Sequence, residues 1–262
     1  MKKLFLTLML ALMCVGVAHA TIKTQEINYV AGDLKLKGYL AFDDALDGKR
    51  PAVIVVHEWW GQNDEIRRRA KMLAELGYVG FAIDMYGNGK SADHPKEAGA
   101  FMNSVLKLKD VGQSRFQAAL EILKQQPQVD TEKIAAIGYS FGGAVVLNMA
   151  RMGEDLKGVV SFYGNLSSTI HARPDSVKAK IFVCNGAADQ FVSQNDIEHF
   201  KKEMTEAKAD LQFKSYEGAK HGFTNPASTE NGKKFSLPLA YSEKADQDSW
   251  EDMKAFLKSV LK

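Results

Sequence analysis

The sequence predicts an α/β fold with a mostly parallel twisted sheet, helices on both faces and an N-terminal antiparallel hairpin. The first observation is alternation of polar and apolar residues over 25–29 and 35–42, on either side of Ala31-Gly32-Asp33, which is typical of a hairpin. The second is a series of short apolar runs that suit strands buried on both faces of a parallel sheet. These runs cover residues 52–56, 79–83, 134–137, 159–162 and 181–183. Helix-period segments separate most of them, which implies right-handed crossovers and a doubly wound sheet.

Five segments carry apolar residues at spacings near 3.6, and each is predicted to be an amphipathic helix. They cover residues 66–76, 111–125, 142–152, 197–207 and 249–261. In the last segment the apolar side chains are expected to face the sheet and to have no other role. These side chains are Trp250, Met253, Phe256, Leu257 and Val260.

The N-terminal residues have the pattern of a secretory signal peptide. Lys2 and Lys3 precede an apolar run over 4–17, and Ala18-His19-Ala20 gives a small-x-small cleavage site. The run is shorter than the roughly 20 residues of a membrane span, which favours the signal peptide over the alternative, an uncleaved anchor. We therefore predict a signal peptide over 1–20, a single α/β domain over 21–262, and secretion, into the bacterial periplasm.

The balance of charges argues against proteins that bind nucleic acid or anionic membranes. Removing Lys2 and Lys3 leaves 32 basic residues against 32 acidic ones, so a basic face for nucleic acid or an anionic membrane is not expected. The triplet Arg67-Arg68-Arg69 is interpreted as the solvated start of a helix.

Only Cys184 follows the leader, so no internal disulfide is expected and stability must come from a core. These properties permit a monomer, which is the expected state.

A nucleophile is predicted at Ser140. Gly138-Tyr139-Ser140-Phe141-Gly142 matches G-x-S-x-G, follows the run 134–137 and opens the predicted helix 142–152. The motif requires this order of strand, sharp turn and helix, whose strained backbone leaves no room for side chains at the flanking glycines. A plain tight turn is the alternative interpretation.

A serine hydroxyl needs a base, and the base needs a group that fixes its tautomer. His221 is predicted to be the base, because it lies in the loop after the strand-like residues 211–216. Asp189 is predicted to be the orienting acid, because it follows the run 181–183 and precedes His221 in the chain. Asp196 is interpreted as a residue of a helix first turn. A structural loop histidine and a turn aspartate are the alternatives.

Acyl transfer also needs donors for the developing oxyanion. The backbone N–H of Phe141, at a helix start, is one predicted donor, and the N–H of Trp59, in the turn after residues 52–56, is the second. Glu58 lies in the same turn and is predicted to contact Ser140 or the substrate, with a surface carboxylate as the alternative.

Several separated blocks together resemble the dienelactone hydrolase family over most of the chain after residue 20. The blocks are His57-Glu58-Trp59-Trp60-Gly61, Asp84-Met85-Tyr86, Gly138-Tyr139-Ser140-Phe141-Gly142-Gly143, the segment from Asn185-Gly186 to Asp189, and His221-Gly222-Phe223. The resemblance implies an α/β-hydrolase fold, hydrolysis of lactones or related small-molecule esters, and no cofactor.

Two positions depart from the pattern of that family. Its characterised members use a cysteine nucleophile, with a glutamate matched here by Glu58, whereas this chain has Ser140. In the family two arginines hold the substrate carboxylate, and the matching positions here are Asn88, after Tyr86, and Asn225. Without these arginines, a neutral or differently charged ester is the favoured substrate. Lys90 or Lys220 is the alternative source of positive charge, as a partial substitute for the arginines. The residues expected to bind substrate are Glu58, Trp60, Tyr86, Asn88 and Asn225.

Other features leave alternatives open. Trp59, Trp60, Phe141 and Phe191 line an apolar pocket or belong to the core, and residues 87–109 are a candidate cap over the site. The same apparatus would also serve a peptidase or a thioesterase, and a catalytically silent periplasmic binding protein is a further alternative. No metal site is predicted, because His57-Glu58 lacks a second histidine at helical spacing.

Overall fold

An eight-stranded sheet organises the protein in the computed structural model, which describes residues 21–107 and 109–262. The predicted signal peptide over residues 1–20 lies outside the described residues. The strands are β1 (Ile22–Ala31), β2 (Leu34–Asp43), β3 (Arg50–Val56), β4 (Val79–Ile83), β5 (Val129–Tyr139), β6 (Gly158–Phe162), β7 (Lys180–Gly186) and β8 (Leu211–Tyr216).

Strand order confirms the predicted hairpin and parallel sheet. The order across the sheet is β1-β2-β4-β3-β5-β6-β7-β8. Strands β1 and β2 form an antiparallel hairpin, and β2 pairs antiparallel with β4. From β4 to β8 every neighbouring pair is parallel. The carboxyl ends of these parallel strands therefore meet at one edge of the sheet, where ligands bind in open α/β folds.

Helices connect the strands and continue past β8. They are α1 (Asp64–Glu75), α2 (Pro95–Leu106), α3 (Lys109–Lys124), α4 (Phe141–Arg151), α5 (Gln194–Glu206), α6 (Ser228–Phe235) and α7 (Glu243–Val260). Helix α7 begins six residues earlier than predicted, because the Ser242 side chain caps it by accepting from the Ala245 N–H. Helices α2 and α6 are additions to the predicted set.

Alternation along each strand divides the core into two layers. In β3, Ile54 and Val56 pack with α3, α4 and α5 on one face, whereas Val53 and Val55 pack with α1 and α7 on the other. All four side chains are fully buried. A strand buried on both faces must be apolar on both, which explains the continuous apolar runs of the sequence.

One charged residue corrects the sequence interpretation. The Arg67-Arg68-Arg69 triplet was expected to be solvated, but the Arg69 side chain is only 2% exposed. It forms ion pairs with Glu65 and Asp246 at 2.9 Å each, and donates to the Thr224 carbonyl oxygen. Arg69 thus ties α1 to α7 and to the loop after β8.

Two further features follow from the described residues. Cys184 is a free, buried thiol, and burial raises its pKa far above its usual range. Among these same residues, no helix has the length and apolar character needed to cross a membrane.

Candidate active site

The turn between β5 and α4 holds Ser140 in a strained backbone conformation, with φ of 52° and ψ of −113°. A non-glycine residue adopts this region rarely, and such strain is found at functional sites. The turn is tight because glycines flank it. A Cβ atom on Gly138 would lie 2.0 Å from the Gly142 carbonyl oxygen, and one on Gly142 would lie 2.2 Å from the Val56 carbonyl oxygen.

The structure brings Ser140, His221 and Asp189 together in one hydrogen-bonded series. Ser140 Oγ lies 2.7 Å from His221 Nε2. His221 Nδ1 lies 2.8 Å from Asp189 Oδ2. The Asp189 side chain is fully buried, and its other oxygen accepts from the Phe191 N–H at 2.8 Å. This arrangement fixes the proton of His221 on Nδ1 and leaves Nε2 free to accept the Ser140 proton.

The two residues whose backbone amides are predicted to bind the oxyanion both line the cavity that contains Ser140. The Phe141 N–H begins α4, where first-turn amides have no acceptor within the helix. The Trp59 N–H belongs to the turn after β3. Neither amide donates to a protein acceptor among the described residues. Both Phe141 and Trp59 line the cavity, so their amides can serve as an oxyanion hole.

The turn after β3 is held by two side chains that lie behind it. His57 is fully buried, its Nδ1–H donates to the Glu58 carbonyl oxygen at 2.6 Å, and its Nε2 accepts from the Met85 N–H at 3.2 Å. Burial lowers the pKa of His57, so the imidazole stays neutral and one tautomer satisfies both contacts. The Tyr86 hydroxyl donates to the Trp59 carbonyl oxygen at 3.0 Å.

Glu58 is a buried carboxyl group that interacts electrostatically with His221. Burial raises its pKa above the ordinary 4.5, while hydrogen bonds from Asn225 and Tyr163 and the proximity of His221 oppose the shift. Asn225 Nδ2 lies 2.6 Å from Glu58 Oε2, and the Tyr163 hydroxyl lies 3.2 Å from Oε1. Tyr163 also bonds Thr224 Oγ1 at 2.7 Å. The surface-carboxylate alternative is therefore wrong for Glu58, which is 8% exposed.

A cavity of about 680 Å³ opens beside Ser140. Its walls come from the turn after β3, from α2, α3 and α4, and from the loops after β6, β7 and β8. Its apolar lining comprises Trp59, Trp60, Met102, Val105, Leu106, Phe141, Ala144, Val145, Met149, Met152, Ile170, Phe191, Val192, Leu237 and Leu239. The candidate cap over residues 87–109 contributes to this wall through α2.

Three of the expected substrate-binding residues lie away from the cavity. Glu58 and Trp60 line it, but Tyr86, Asn88 and Asn225 do not. Tyr86 instead donates to the Trp59 carbonyl oxygen, and Asn225 donates to the Glu58 carboxyl group. Asn88 has a positive φ of 55° and bonds the Lys35 carbonyl oxygen through its backbone. The predicted contact of these three residues with the substrate is therefore wrong. Their side chains or backbones support the fold instead.

Lys90 and Lys220 are also absent from the cavity wall. Among the described residues that line the cavity, no lysine or arginine takes the place of the two arginines of the resemblance. Within the described residues, no group of three or more His, Cys, Asp or Glu side chains has an arrangement that could hold a metal ion.

Comparison with known proteins identifies the family. The sequence model of the Dienelactone hydrolase family matches residues 36–261. This chain belongs to the dienelactone hydrolase family. A putative carboxymethylenebutenolidase of Aquifex aeolicus is 28% identical over 243 residues, which cover 91% of this chain and 99% of that protein. Membership confirms the predicted resemblance and an enzyme that hydrolyses ester bonds in small molecules.

Solved structures agree with this assignment. A dienelactone hydrolase-like promiscuous phosphotriesterase from metagenomic libraries superposes with a TM-score of 0.85 and 30% identity, over 93% of this chain and 100% of that chain. A putative dienelactone hydrolase from Klebsiella pneumoniae gives a TM-score of 0.76 at 22% identity, over 91% of this chain and 99% of that chain, which supports the fold alone. The predicted α/β-hydrolase fold is thereby confirmed for this dienelactone hydrolase family member.

Proposed function

We propose that this family member is a serine hydrolase that cleaves neutral carboxylic esters or lactones through an acyl-enzyme on Ser140. The observation that carries the proposal is the series of contacts from Ser140 Oγ to His221 Nε2 at 2.7 Å and from His221 Nδ1 to Asp189 Oδ2 at 2.8 Å. A hydroxyl within hydrogen-bond reach of an oriented imidazole is an activated nucleophile.

The reaction follows from this geometry in two halves. Ser140 Oγ attacks the carbonyl carbon while its proton passes to His221 Nε2, and the amides of Phe141 and Trp59 bind the oxyanion. The carbon–oxygen bond of the ester then breaks, and His221 returns the proton to the leaving alcohol. Water attacks the acyl-enzyme with His221 as base, which releases the carboxylic acid and restores Ser140.

The cavity supports a neutral substrate. Among the described residues that line it, Glu58 and His221 are the only ones with titratable side chains, and none of these lining residues is a lysine or an arginine. A substrate carboxylate would leave water without a counter-charge, which costs free energy. A neutral ester or lactone meets no such cost.

Turnover of p-nitrophenyl acetate and butyrate by residues 21–262 tests the proposal. We expect hydrolysis that is lost in Ser140→Ala and blocked by a serine-directed phosphonate, with the adduct found on Ser140 by mass spectrometry. The matched control is Ser259→Ala, in α7 and outside the cavity. Undiminished hydrolysis by Ser140→Ala, or the absence of a Ser140 adduct, would contradict the proposal.

A panel of substrates separates the ester function from its relatives. Esters are expected to be cleaved faster than thioesters and dipeptide amides, and a peptidase would show the reverse order. One solved relative, at 30% identity, is described as a promiscuous phosphotriesterase. A neutral phosphotriester therefore belongs in the panel as a second candidate, which would form a phosphoryl-serine at the same Ser140.

We further propose that residues 1–20 are removed on export and that the mature enzyme is a periplasmic monomer. The support is the run of basic, apolar and small residues at 2–3, 4–17 and 18–20, and the neutral charge of the remainder. N-terminal sequencing of the protein from a periplasmic fraction tests the cleavage. Light scattering after gel filtration tests the monomer, and a mass of two chains would overturn it.

A further inference from the structure

The cavity continues from Ser140 along α4 as a groove. One stripe of this helix lines it, at the spacing of three or four residues that places side chains on one helix face. The stripe consists of Phe141, Ala144, Val145, Asn148, Met149 and Met152. Ser140 and Met152 are the two end caps of α4, and at a rise of 1.5 Å per residue they lie about 18 Å apart along the helix axis. The groove thus has a length that a single acetyl or butyryl group does not fill.

A second part of the groove lining is also apolar. Helix α2 contributes Met102, Val105 and Leu106. Leu106 is 43% exposed and Phe191, next to His221, is 50% exposed, and both line the cavity. Large apolar side chains that stay exposed along a cavity mark a surface for an apolar ligand. Methionines add flexible side chains that adapt to a chain of variable shape.

Away from Ser140, the polar side chains of the described residues that line the groove are uncharged. The titratable members of the lining, Glu58 and His221, lie near the nucleophile, where His221 contacts Ser140 directly. Farther along, the amide of Asn148 accepts from Arg151, and the amide of Gln113 donates to Glu154. Neighbouring side chains thus already occupy polar atoms of these two amides.

We infer that the groove binds an extended apolar chain of the ester substrate, and that Ala144 and Met152 set the chain length. The inference rests on the proposed ester hydrolysis at Ser140 and names its substrate class. Ala144 lies one helical turn from Ser140 and Met152 lies at the far end of α4. A larger side chain at either position closes the groove at a different distance from the nucleophile.

Chain length should therefore control the specificity of the enzyme. Each methylene that enters the groove leaves water, which raises kcat/KM by up to about fourfold until the groove is filled. The gain should stop where the chain reaches the end of α4. Chains that extend further gain nothing, because their added methylenes remain in solvent.

The experiment compares two homologous ester series, p-nitrophenyl acylates and alkyl butyrates, from two to sixteen carbons in the varied chain. For the wild type we expect kcat/KM to rise with chain length well beyond butyrate in at least one series. In Ala144→Phe the ratio of kcat/KM for decanoate to that for acetate should fall at least tenfold. In Met152→Trp the loss should be confined to the longest chains. Leu46→Phe, at an exposed apolar position outside the cavity, is the control for the introduction of a phenylalanine.

The outcomes separate the inference from the proposed function. A flat dependence on chain length in both series, with hydrolysis that still requires Ser140, would overturn the groove and leave the esterase intact. Equal profiles for Ala144→Phe and Leu46→Phe would do the same. Hydrolysis that persists in Ser140→Ala would instead overturn the proposed function. Circular dichroism of each variant shows that the fold is retained.

Discussion

The hydroxyl of Tyr86 donates to the carbonyl oxygen of Trp59 over 3.0 Å, across the gap between the ends of β4 and β3. Tyr86 is 5% exposed, and its ring packs edge-on against His57 at 4.6 Å between centroids. Its contact fixes the peptide plane that follows Trp59. The turn that presents the Trp59 amide is thus anchored by a residue that lies outside the cavity.

Removing this anchor should slow the reaction without weakening substrate binding. We expect Tyr86→Phe to lower kcat about two- to thirteenfold, because one hydrogen bond of this kind contributes roughly 0.5–1.5 kcal/mol. KM should change little, since Tyr86 does not line the cavity. Steady-state kinetics with p-nitrophenyl butyrate provide the measurement, and Tyr78→Phe, at the opposite end of β4, provides the control. A change confined to KM would contradict the assigned role.

Asp189 should matter through the orientation of His221. Asp189→Asn keeps the shape of the side chain but removes the acceptor that holds the Nδ1 proton, so kcat should fall by about 10⁴ at neutral pH. Asp175→Asn is the matched substitution on an exposed turn, where the side chain is 69% exposed. Comparable kcat values for the two variants would show that Asp189 does not orient the base.

Glu58 should make the stability of the protein depend on pH. Burial raises its pKa above 4.5, so the folded state binds this proton more tightly than the unfolded chain. The resulting stabilisation is complete below the unfolded pKa and is lost as pH rises through the folded pKa. The free energy of unfolding of wild type, minus that of Glu58→Gln, should therefore fall with rising pH, by at most about 1.4 kcal/mol per pH unit. Urea unfolding between pH 4 and 8 measures it, and a constant difference would exclude the effect.

Arg69 and Arg68 provide a test of buried against exposed charge within one helix. Arg69→Met leaves Glu65 and Asp246 without their buried cation, so the free energy of unfolding should fall by about 3–5 kcal/mol. Arg68 is 43% exposed, and Arg68→Met should cost less than about 0.5 kcal/mol. Urea unfolding at pH 7 compares the two. Equal losses would show that burial of Arg69 contributes nothing.

Two glycine substitutions should change stability in opposite directions. A Cβ on Gly142 would meet backbone atoms of Val56 at 2.2 and 2.6 Å, so Gly142→Ala should destabilise by about 2–3 kcal/mol. A Cβ on Gly99, inside α2, would meet nothing within 4 Å, so Gly99→Ala should stabilise by about 0.5–1 kcal/mol. Thermal unfolding measures both. A tolerated Gly142→Ala would show that the turn can relax.

The strands and most helices were predictable because each has a local signature. A run such as residues 52–56 is apolar at every position, since both of its faces are buried. Helix α6 lacks such a signature: it is eight residues long, mostly polar, and carries Gly232 in its interior. The burial of Arg69 was also hidden, because its partner Asp246 lies 177 residues away in the chain.

For the candidate site, position at a strand end was the useful signal. It predicted Ser140, Asp189 and Glu58, which follow β5, β7 and β3. The same rule applied to β6 would have found Tyr163, which bonds Glu58 and was missed. Asn225 was misplaced because family position gives a residue's location in the chain and not the direction of its side chain.

Helix α4 carries both the predicted nucleophile, Ser140, at its N-cap and the stripe that lines the groove. The tight glycine turn fixes Ser140, whereas Ala144, Asn148 and Met152 can vary without altering that turn. Mutations that change which esters fit are therefore separable from mutations that change how the bond breaks. Single substitutions in the stripe are therefore expected to shift the preferred ester while the geometry of Ser140, His221 and Asp189 is retained.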